Sequence, residues 1–191
     1  MKHIALFESF IGEKLYHGNR KGDFPPEKKR FGGCIFLTSN IEFARDFSGA
    51  DDRNEFPDGA VWEVWLKPGI NLCDPTDPKI AKELGLKKII EKMIADGYGD
   101  EVSGIKFKQV SSGMIGYDYD DDKESPIENS SDSVYHYLWR IKHGAWRIIE
   151  CAPILAAIRN NGYDGFCVTE RGSKNAAIFD ESSIKNYKKI E

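Results

Sequence analysis

Hydrophobic and polar positions form their clearest pattern at residues 32–47. Two glycines lead into an apolar run at 34–37, which a Thr-Ser-Asn triplet ends. A short, continuous apolar run between turn residues is typical of an inner strand of a sheet. The residues that follow place Phe43, Ala44 and Phe47 on one face of a helix. The stretch therefore predicts a strand, a turn and a helix.

The start of this helix has its own signal. Ser39 occupies the position of an N-cap residue, and Glu42 follows three residues later. Together they match the capping box, in which two side chains bind free backbone N–H groups at the start of a helix. We therefore expect the helix to begin at Ser39.

The same criteria divide the rest of the chain. Short apolar or alternating segments predict strands at 14–17, 60–66, 70–74, 166–169 and 176–179. In the strand at 60–66, both alternating sets of positions contain apolar residues, so the strand is expected to be buried on both faces. Helical spacing predicts an amphipathic helix at 1–12 and helices at 78–95, 133–145 and 150–160. Loops are expected at 19–30, 48–59 and 97–132. Near the end of the chain we expect a polar turn at 170–174, a capped helical turn at 180–184 and a basic tail.

Strands separated by irregular loops, with helices between some of them, favour the α+β class. The chain has 191 residues, which suits one domain with a sizeable core. We expect a single domain over residues 1–191 that contains an insertion of helices and an acidic loop at 78–148.

Composition narrows the partners. The formal charge is −4 and no basic block occurs, so tight binding to a nucleic-acid backbone is a poor first hypothesis. The four cysteines are scattered and without metal-site spacing, which favours buried, reduced thiols. The N-terminus lacks the pattern of a secretion signal, and no apolar run is long enough to span a membrane. We therefore expect a cytoplasmic protein that makes no membrane contact.

The acidic run at 118–122 is the only segment that suggests a metal. A calcium-binding loop also needs a glycine and a terminal glutamate at set positions, and the glycine is missing. A solvated loop is the better interpretation, and we expect no metal.

Candidate chemistry comes from the order of several short motifs. Alone, His17 fits a hydrogen-bonded structural histidine, and Phe36 and Phe47 fit core aromatics. In order, the chain carries His-Gly at 17–18, Gly-x-Ile-aromatic-x-Thr-Ser at 33–39, a helix with Ala44 and Phe47, Gly-Tyr-Asp-Gly at 162–165, and Ile-Phe-Asp at 178–180.

This series resembles the ADP-ribosyltransferase fold family, on the branch with a histidine in its first motif. That branch includes the poly-ADP-ribose polymerases, diphtheria toxin and transferase domains of phage polyvalent proteins. The resemblance covers residues 14–74 and 150–185. It implies a split pair of small β-sheets around a cleft that binds NAD as substrate. The opening residues also resemble small phage proteins, so a phage-encoded effector acting in the host cytoplasm is one expectation.

The resemblance assigns a role to several residues. His17 would bind a hydroxyl of the nicotinamide ribose, and the backbone of Gly18 would bind the carboxamide. Phe36 and Phe47 would enclose the nicotinamide ring between two aromatic faces. Thr38 belongs to the same group of cofactor-binding residues. Arg20 would either bind the pyrophosphate or be an ordinary charged residue of the loop. For Lys21 we prefer the second interpretation.

One position departs from the family pattern. The family usually carries a catalytic glutamate where this chain has Asn175. A carboxylate would stabilise the positive charge that builds on the ribose as the nicotinamide bond breaks, whereas an amide keeps only the hydrogen bond. We favour Glu170, five residues upstream, as the catalytic carboxylate, and an exposed turn glutamate is the other interpretation of it.

The expected function is therefore an NAD-dependent mono-ADP-ribosyltransferase that modifies a protein or nucleic-acid acceptor. Two alternatives stay open: an inactive binding module of the same fold, and an NAD glycohydrolase that uses water as acceptor. The identity of the acceptor does not follow from the sequence.

Overall fold

The computed structural model describes residues 14–26, 33–50, 54–97, 99–100, 105–110, 114–118, 148–170 and 172–191. They belong to two compact units. The large-sheet unit comprises Met1–Asp74 and Gly162–Glu191, and the small-sheet unit comprises Pro75–Asn161. Helices and strands are mixed in the chain, in agreement with the predicted mixed class. The helices expected at 1–12 and 133–145 lie outside the described residues.

The described strands, in chain order, are β1 Leu15–Asn19, β2 Ile35–Thr38, β3 Ala60–Leu66, β4 Leu72–Cys73, β5 Gly99–Asp100, β6 Ile105–Val110, β7 Met114–Asp118, β8 Gly165–Glu170, β9 Ser173–Ile178 and β10 Ile184–Lys189. The described α-helices are α1 Ile41–Ser48, α2 Pro78–Glu83, α3 Leu86–Ala95 and α4 Ala152–Asn160. A short 3₁₀ helix, Glu181–Ser183, precedes β10, and Asp180 caps it by accepting the Ser182 N–H.

Seven strands form the sheet of the large-sheet unit, in the order β10-β3-β1-β2-β9-β8-β4. Neighbours are antiparallel, except for β4 and β8, which run parallel. β1 pairs with β3 over five residue pairs, but with β2 at only one, Tyr16 with Thr38. The sheet is therefore joined weakly at its centre. We call β10-β3-β1 the near half and β2-β9-β8-β4 the far half.

One hydrophobic core joins the two halves. Its residues alternate along the central strands, with Leu15 on β1, Leu37 on β2 and Ala176 on β9 all 2% exposed or less. Helix α1 lies against β1, where a Cβ on Gly18 would sit 1.8 Å from the Ala44 carbonyl oxygen. A glycine at this position is what allows the helix backbone to approach the strand.

Several predictions for the large-sheet unit are confirmed. β2 is an inner strand between β1 and β9, and β3 spans residues 60–66 as predicted. Burial on both faces of β3 holds at its start, where Ala60 and Val61 are buried. Further along, Val64 is buried, whereas Trp62, Glu63, Trp65 and Leu66 are partly buried.

Other predictions for this unit are wrong. The strand expected at 70–74 is limited to Leu72–Cys73. The turn expected at 170–174 is shorter, because Glu170 and Ser173 already pair with each other. The basic tail is strand β10, which pairs with β3 over most of its length. Its Lys-rich sequence hides the strand, because only Ile184 is buried and the edge position exposes the other side chains.

The small-sheet unit also differs from the predictions. The helix expected at 78–95 is two helices, α2 and α3, separated at Leu84 and Gly85. Gly85 has a φ of +68°, which an α-helix does not tolerate in its interior. The loop expected at 97–132 contains β5, β6 and β7, which form an antiparallel sheet. The helix expected at 150–160 is confirmed as α4.

Candidate functional site

His17 is the side chain about which the candidate site is built. It lies on β1, next to the single pair that joins the two halves of the sheet. Its Nδ1 atom is 2.7 Å from the backbone oxygen of Phe36 on β2. Because a carbonyl oxygen only accepts, Nδ1 carries the proton and donates it, and a neutral ring then has a lone pair at Nε2. His17 therefore presents a hydrogen-bond acceptor.

Burial keeps this ring neutral. It lowers the pKa of His17 below the ordinary value of 6.5 and outweighs the bond to Phe36 and the carboxylate of Asp23, which both act in the opposite direction. The Nε2 atom is shielded from solvent and has no hydrogen-bond partner among the residues that the structure describes. A buried polar atom without a partner is uncommon in proteins and costs free energy.

A cluster of aromatic rings lies beside the imidazole. The ring centre of Phe24 lies 5.0 Å from that of His17 and 5.7 Å from that of Trp62. Tyr187 on β10 meets both Phe24 and Trp62 edge-on. Asn19 donates to the backbone oxygen of Asp23 at 2.9 Å, and this bond holds the segment that carries Phe24.

The sequence did not predict this aromatic cluster. Trp62 was recognised only as a strand residue, Phe24 lies in an expected loop, and Tyr187 lies in the expected tail. A strict alternation over 60–66 indicated a strand but gave no register, so the pairing of Trp62 with His17 could not be found from it.

The two phenylalanines expected to enclose nicotinamide differ in exposure. Phe36 is half-buried on β2, whereas Phe47 on α1 is 60% exposed. The interpretation of Phe47 as a core aromatic is wrong, because Ala44 and Ser48 form the buried face of the helix. Phe47 packs edge-on against Phe43, with ring centres 5.6 Å apart. Its part in a nicotinamide site stays a prediction.

Gly18 has a structural reason to be glycine that is independent of a ligand. The close approach of α1 leaves no room for a Cβ, as described above. Its backbone pairs with Val61 of β3 in the ladder between β1 and β3. The proposed contact of this backbone with a carboxamide stays a prediction.

Thr38 and Asn175 lie side by side in the far half. They are direct partners between β2 and β9, and they are 6% and 3% exposed. The Thr38 hydroxyl accepts the backbone N–H of Asn40 at 3.1 Å. The structure thus brings two predicted site residues together, next to the pair of Thr38 with Tyr16 that joins the halves.

The turn before α1 corrects the predicted helix start. Asn40 is the N-cap, and its side chain accepts the N–H of Glu42 at 3.0 Å. Ser39 instead accepts the N–H of Lys174 on β9 at 3.0 Å. The Asn40 amide also donates to Ser173 at 3.3 Å. Ser39 was predicted as the cap from local sequence, but a cross-strand partner engages its hydroxyl.

Glu170 occupies a different place from Asn175. It is the last residue of β8 and pairs with Ser173, whereas Asn175 pairs with Val168. Glu170 is thus two residues beyond Val168, which is about 7 Å along the strand. The two candidates for the catalytic role therefore lie at different positions along the β8–β9 hairpin.

The two cations after β1 have contacts of their own. The exposed guanidinium of Arg20 lies over the ring of Phe56, 4.2 Å from its centre. The backbone N–H of Lys21 donates to the side chain of Asn19. Stacking leaves the donors at the edge of the Arg20 guanidinium plane available to an anion, so a role in binding pyrophosphate stays a prediction.

Metal ligands and membrane spans were also sought. Within the described ranges, no group of three or more histidine, cysteine or acidic residues could hold a metal ion. In that same part of the chain, no helix has the length and apolar character needed to cross a membrane. All four cysteines are buried and free, and burial raises the pKa of Cys167 to about 12, so that this thiol is unreactive near neutral pH.

Comparison with protein-family models, with curated proteins and with solved structures found no match. The function is therefore inferred from the residues of the site.

Proposed function

We propose that this protein is an NAD-dependent mono-ADP-ribosyltransferase that transfers one ADP-ribose unit to a protein or nucleic-acid acceptor. The observation that carries the proposal is the buried, unpartnered Nε2 of His17, which accepts a hydrogen bond because Nδ1 donates to Phe36. A ribose hydroxyl is a donor of the required kind, and the aromatic walls suit a ligand with flat faces.

The sheet geometry supports the same proposal. An ADP-ribosyltransferase-like fold implies two small sheets on either side of an NAD cleft. Here the near and far halves are joined by the single pair of Tyr16 and Thr38, and His17 is the next residue of β1. The position of His17 Nε2 beside this junction supports a contact with the nicotinamide ribose.

The reaction breaks the bond between C1′ of the ribose and the nicotinamide nitrogen, and nicotinamide leaves as a neutral molecule. A nucleophile of the acceptor forms the new bond to C1′ and releases a proton. Positive charge on the ribose rises in the transition state, and a nearby carboxylate stabilises it. We assign this carboxylate to Glu170, while Asn175 would hydrogen-bond the ribose.

A binding module that does not turn NAD over is the second candidate. It is favoured by the burial of Asn175, 3% exposed, at the position where the resemblance expects the catalytic acid. An amide at this position keeps a hydrogen bond to the ligand but supplies no negative charge. Such a protein would bind NAD or an ADP-ribose-like ligand without releasing nicotinamide.

The test is incubation of the pure protein with NAD, with free nicotinamide measured by chromatography, in the presence and absence of bacterial lysate. Release that depends on lysate is expected of a transferase, and mass spectrometry then identifies the modified acceptor. Release without lysate indicates hydrolysis or automodification. Binding of NAD by calorimetry without release indicates the binding module, and absence of binding contradicts all of these functions.

Glu170→Gln tests the assignment of the carboxylate. The variant should lose nicotinamide release by at least about a hundredfold and still bind NAD, because charge stabilisation acts in the transition state. Glu181→Gln is the matched control, since Glu181 is an exposed glutamate of the same unit. Full activity of Glu170→Gln would show that another group supplies the charge.

A further inference from the structure

Two buried polar atoms belong to one aromatic cluster. The first is His17 Nε2, and the second is the indole nitrogen Nε1 of Trp62, which is likewise shielded and without a hydrogen-bond partner among the described residues. His17 and Trp62 are direct partners between β1 and β3, so their side chains leave the same face of the sheet. Both rings contact the ring of Phe24.

The two atoms have opposite hydrogen-bonding character. An indole N–H only donates, whereas Nε2 of the neutral imidazole only accepts. Buried tryptophans usually find a partner for this N–H, because desolvating it without one costs free energy. A hydroxyl group both donates and accepts, so neighbouring hydroxyls of a sugar satisfy such a pair of atoms together.

We propose that Trp62 is a second ligand-binding residue, whose indole N–H donates to a hydroxyl oxygen of the same ribose that donates to His17 Nε2. This inference rests on the proposed function, since it takes the ligand of His17 to be the nicotinamide ribose of NAD. It adds a residue that the motifs did not indicate and a specific requirement, a ribose with adjacent free hydroxyls.

Phe24 packs against the rings of His17 and Trp62, which are partly open to solvent. His17 and Trp62 are each half-buried, so parts of their rings reach the surface even though the two nitrogens are shielded. Phe24 is the ring that contacts both, and it lies on the segment between β1 and β2.

The experiment follows the indole N–H signals of the ¹⁵N-labelled full chain by NMR during titration with NAD. The Trp62 signal is assigned by its through-space contacts with the rings of His17 and Phe24, and Trp62→Phe confirms the assignment. We expect the signal to shift downfield on saturation, as an N–H does when it enters a hydrogen bond. The signal of Trp65, which lies on the opposite face of β3, should stay in place.

Calorimetry supplies the second measurement. Trp62→Phe should bind NAD about threefold to tenfold more weakly than the unmodified protein, the range expected for one hydrogen bond. Trp65→Phe is the matched control and should bind normally. A 2′,3′-dideoxy analogue of the nicotinamide ribose should show no difference between Trp62→Phe and the unmodified protein, since it lacks both hydroxyls.

The outcomes separate this inference from the proposed function. If the unmodified protein binds NAD at saturation and the Trp62 signal does not move, the role of Trp62 is wrong while that of His17 stands. Equal affinities of Trp62→Phe and the unmodified protein have the same meaning. If the unmodified protein does not bind NAD, the proposed function fails, and the inference fails with it.

Discussion

The hydroxyl groups of the far half and the ring nitrogens of the near half differ in their hydrogen bonding. In the far half, Thr38, Ser39 and Ser173 each accept a hydrogen bond from the backbone or from Asn40. In the near half, His17 and Trp62 keep a shielded nitrogen without a partner among the described residues. Both halves share one hydrophobic core.

Under the proposed function, this difference separates hydrogen-bonding groups that stabilise the fold from groups that would bind a ligand. The hydroxyls of Ser39 and Ser173 connect the start of α1 to β9, so their hydrogen bonds stabilise the fold itself. The unpaired nitrogens of the near half reduce stability, and under the proposed function they would gain a partner when the ligand binds. Two of the candidate ligand contacts, His17 and Trp62, therefore lie on β1 and β3, and four measurements test the contrast.

The largest effect is expected at Gly18, where the near half contacts α1. Gly18→Ala should lower the free energy of unfolding by about 2–3 kcal/mol, since the new Cβ would overlap the Ala44 carbonyl oxygen and the backbone must shift. Urea denaturation measures the loss. Gly69→Ala is the control, because no atom lies within 4 Å of its added Cβ, and it should cost about 1 kcal/mol from its positive φ alone. Equal losses would contradict the tight helix contact.

Thr38→Val tests the far half. The variant keeps the shape of the side chain but removes the acceptor of the Asn40 N–H, so it should cost about 1–2 kcal/mol by urea denaturation. Thr169→Val serves as control, because Thr169 is exposed on β8, and it should change stability by less than about 0.5 kcal/mol. A neutral Thr38→Val would mean that the hydroxyl is not structural and is available to a ligand.

The helix start gives a sharper test within the far half. Asn40→Ala should lower stability by about 1 kcal/mol and raise hydrogen exchange in the first turn of α1, because the cap is lost. Ser39→Ala should instead raise the exchange of the Lys174 amide on β9. If Ser39→Ala were the variant that frays the helix, the sequence-based assignment of the cap would be restored.

The smallest effect expected is the pH dependence that His17 gives to the near half. The pKa of His17 is lowered in the folded protein, so below pH 6.5 the unfolded chain binds the proton more tightly. Stability should therefore fall as the pH drops below 6.5, until the folded pKa is passed. His17→Gln lacks this contribution, and its urea denaturation midpoint should fall less between pH 7 and pH 5. Parallel curves would show that the ring is not kept neutral.

Local patterns predicted the elements whose sequence carries its own signal. Strand β3 was predicted to the residue, β2 was predicted as an inner strand, and α4 was predicted with its end near Gly162. Periodicity succeeds there because a buried strand or helix face repeats within a few residues. It failed at β10, where an edge strand exposes nearly every side chain, and at Gly85, where a single glycine divides two helices.

The candidate site was predicted in part. His17, Thr38 and Asn175 were singled out by the order of motifs, and the structure puts Thr38 beside Asn175 and His17 beside the junction of the two halves. Trp62 was missed because its importance depends on register, and sequence alternation specifies the faces of a strand but not its partner.

The sequence alone determined the mixed class of the fold, its main inner strands and the residue types available for chemistry, because each follows from short-range pattern and composition. Only the tertiary structure decided which of those residues meet, which hydroxyls the fold uses for itself and which nitrogens it leaves unpaired. Hydrogen bonds between strands join residues far apart in the chain. Whether a polar group finds a partner is therefore decided by the packed sheet.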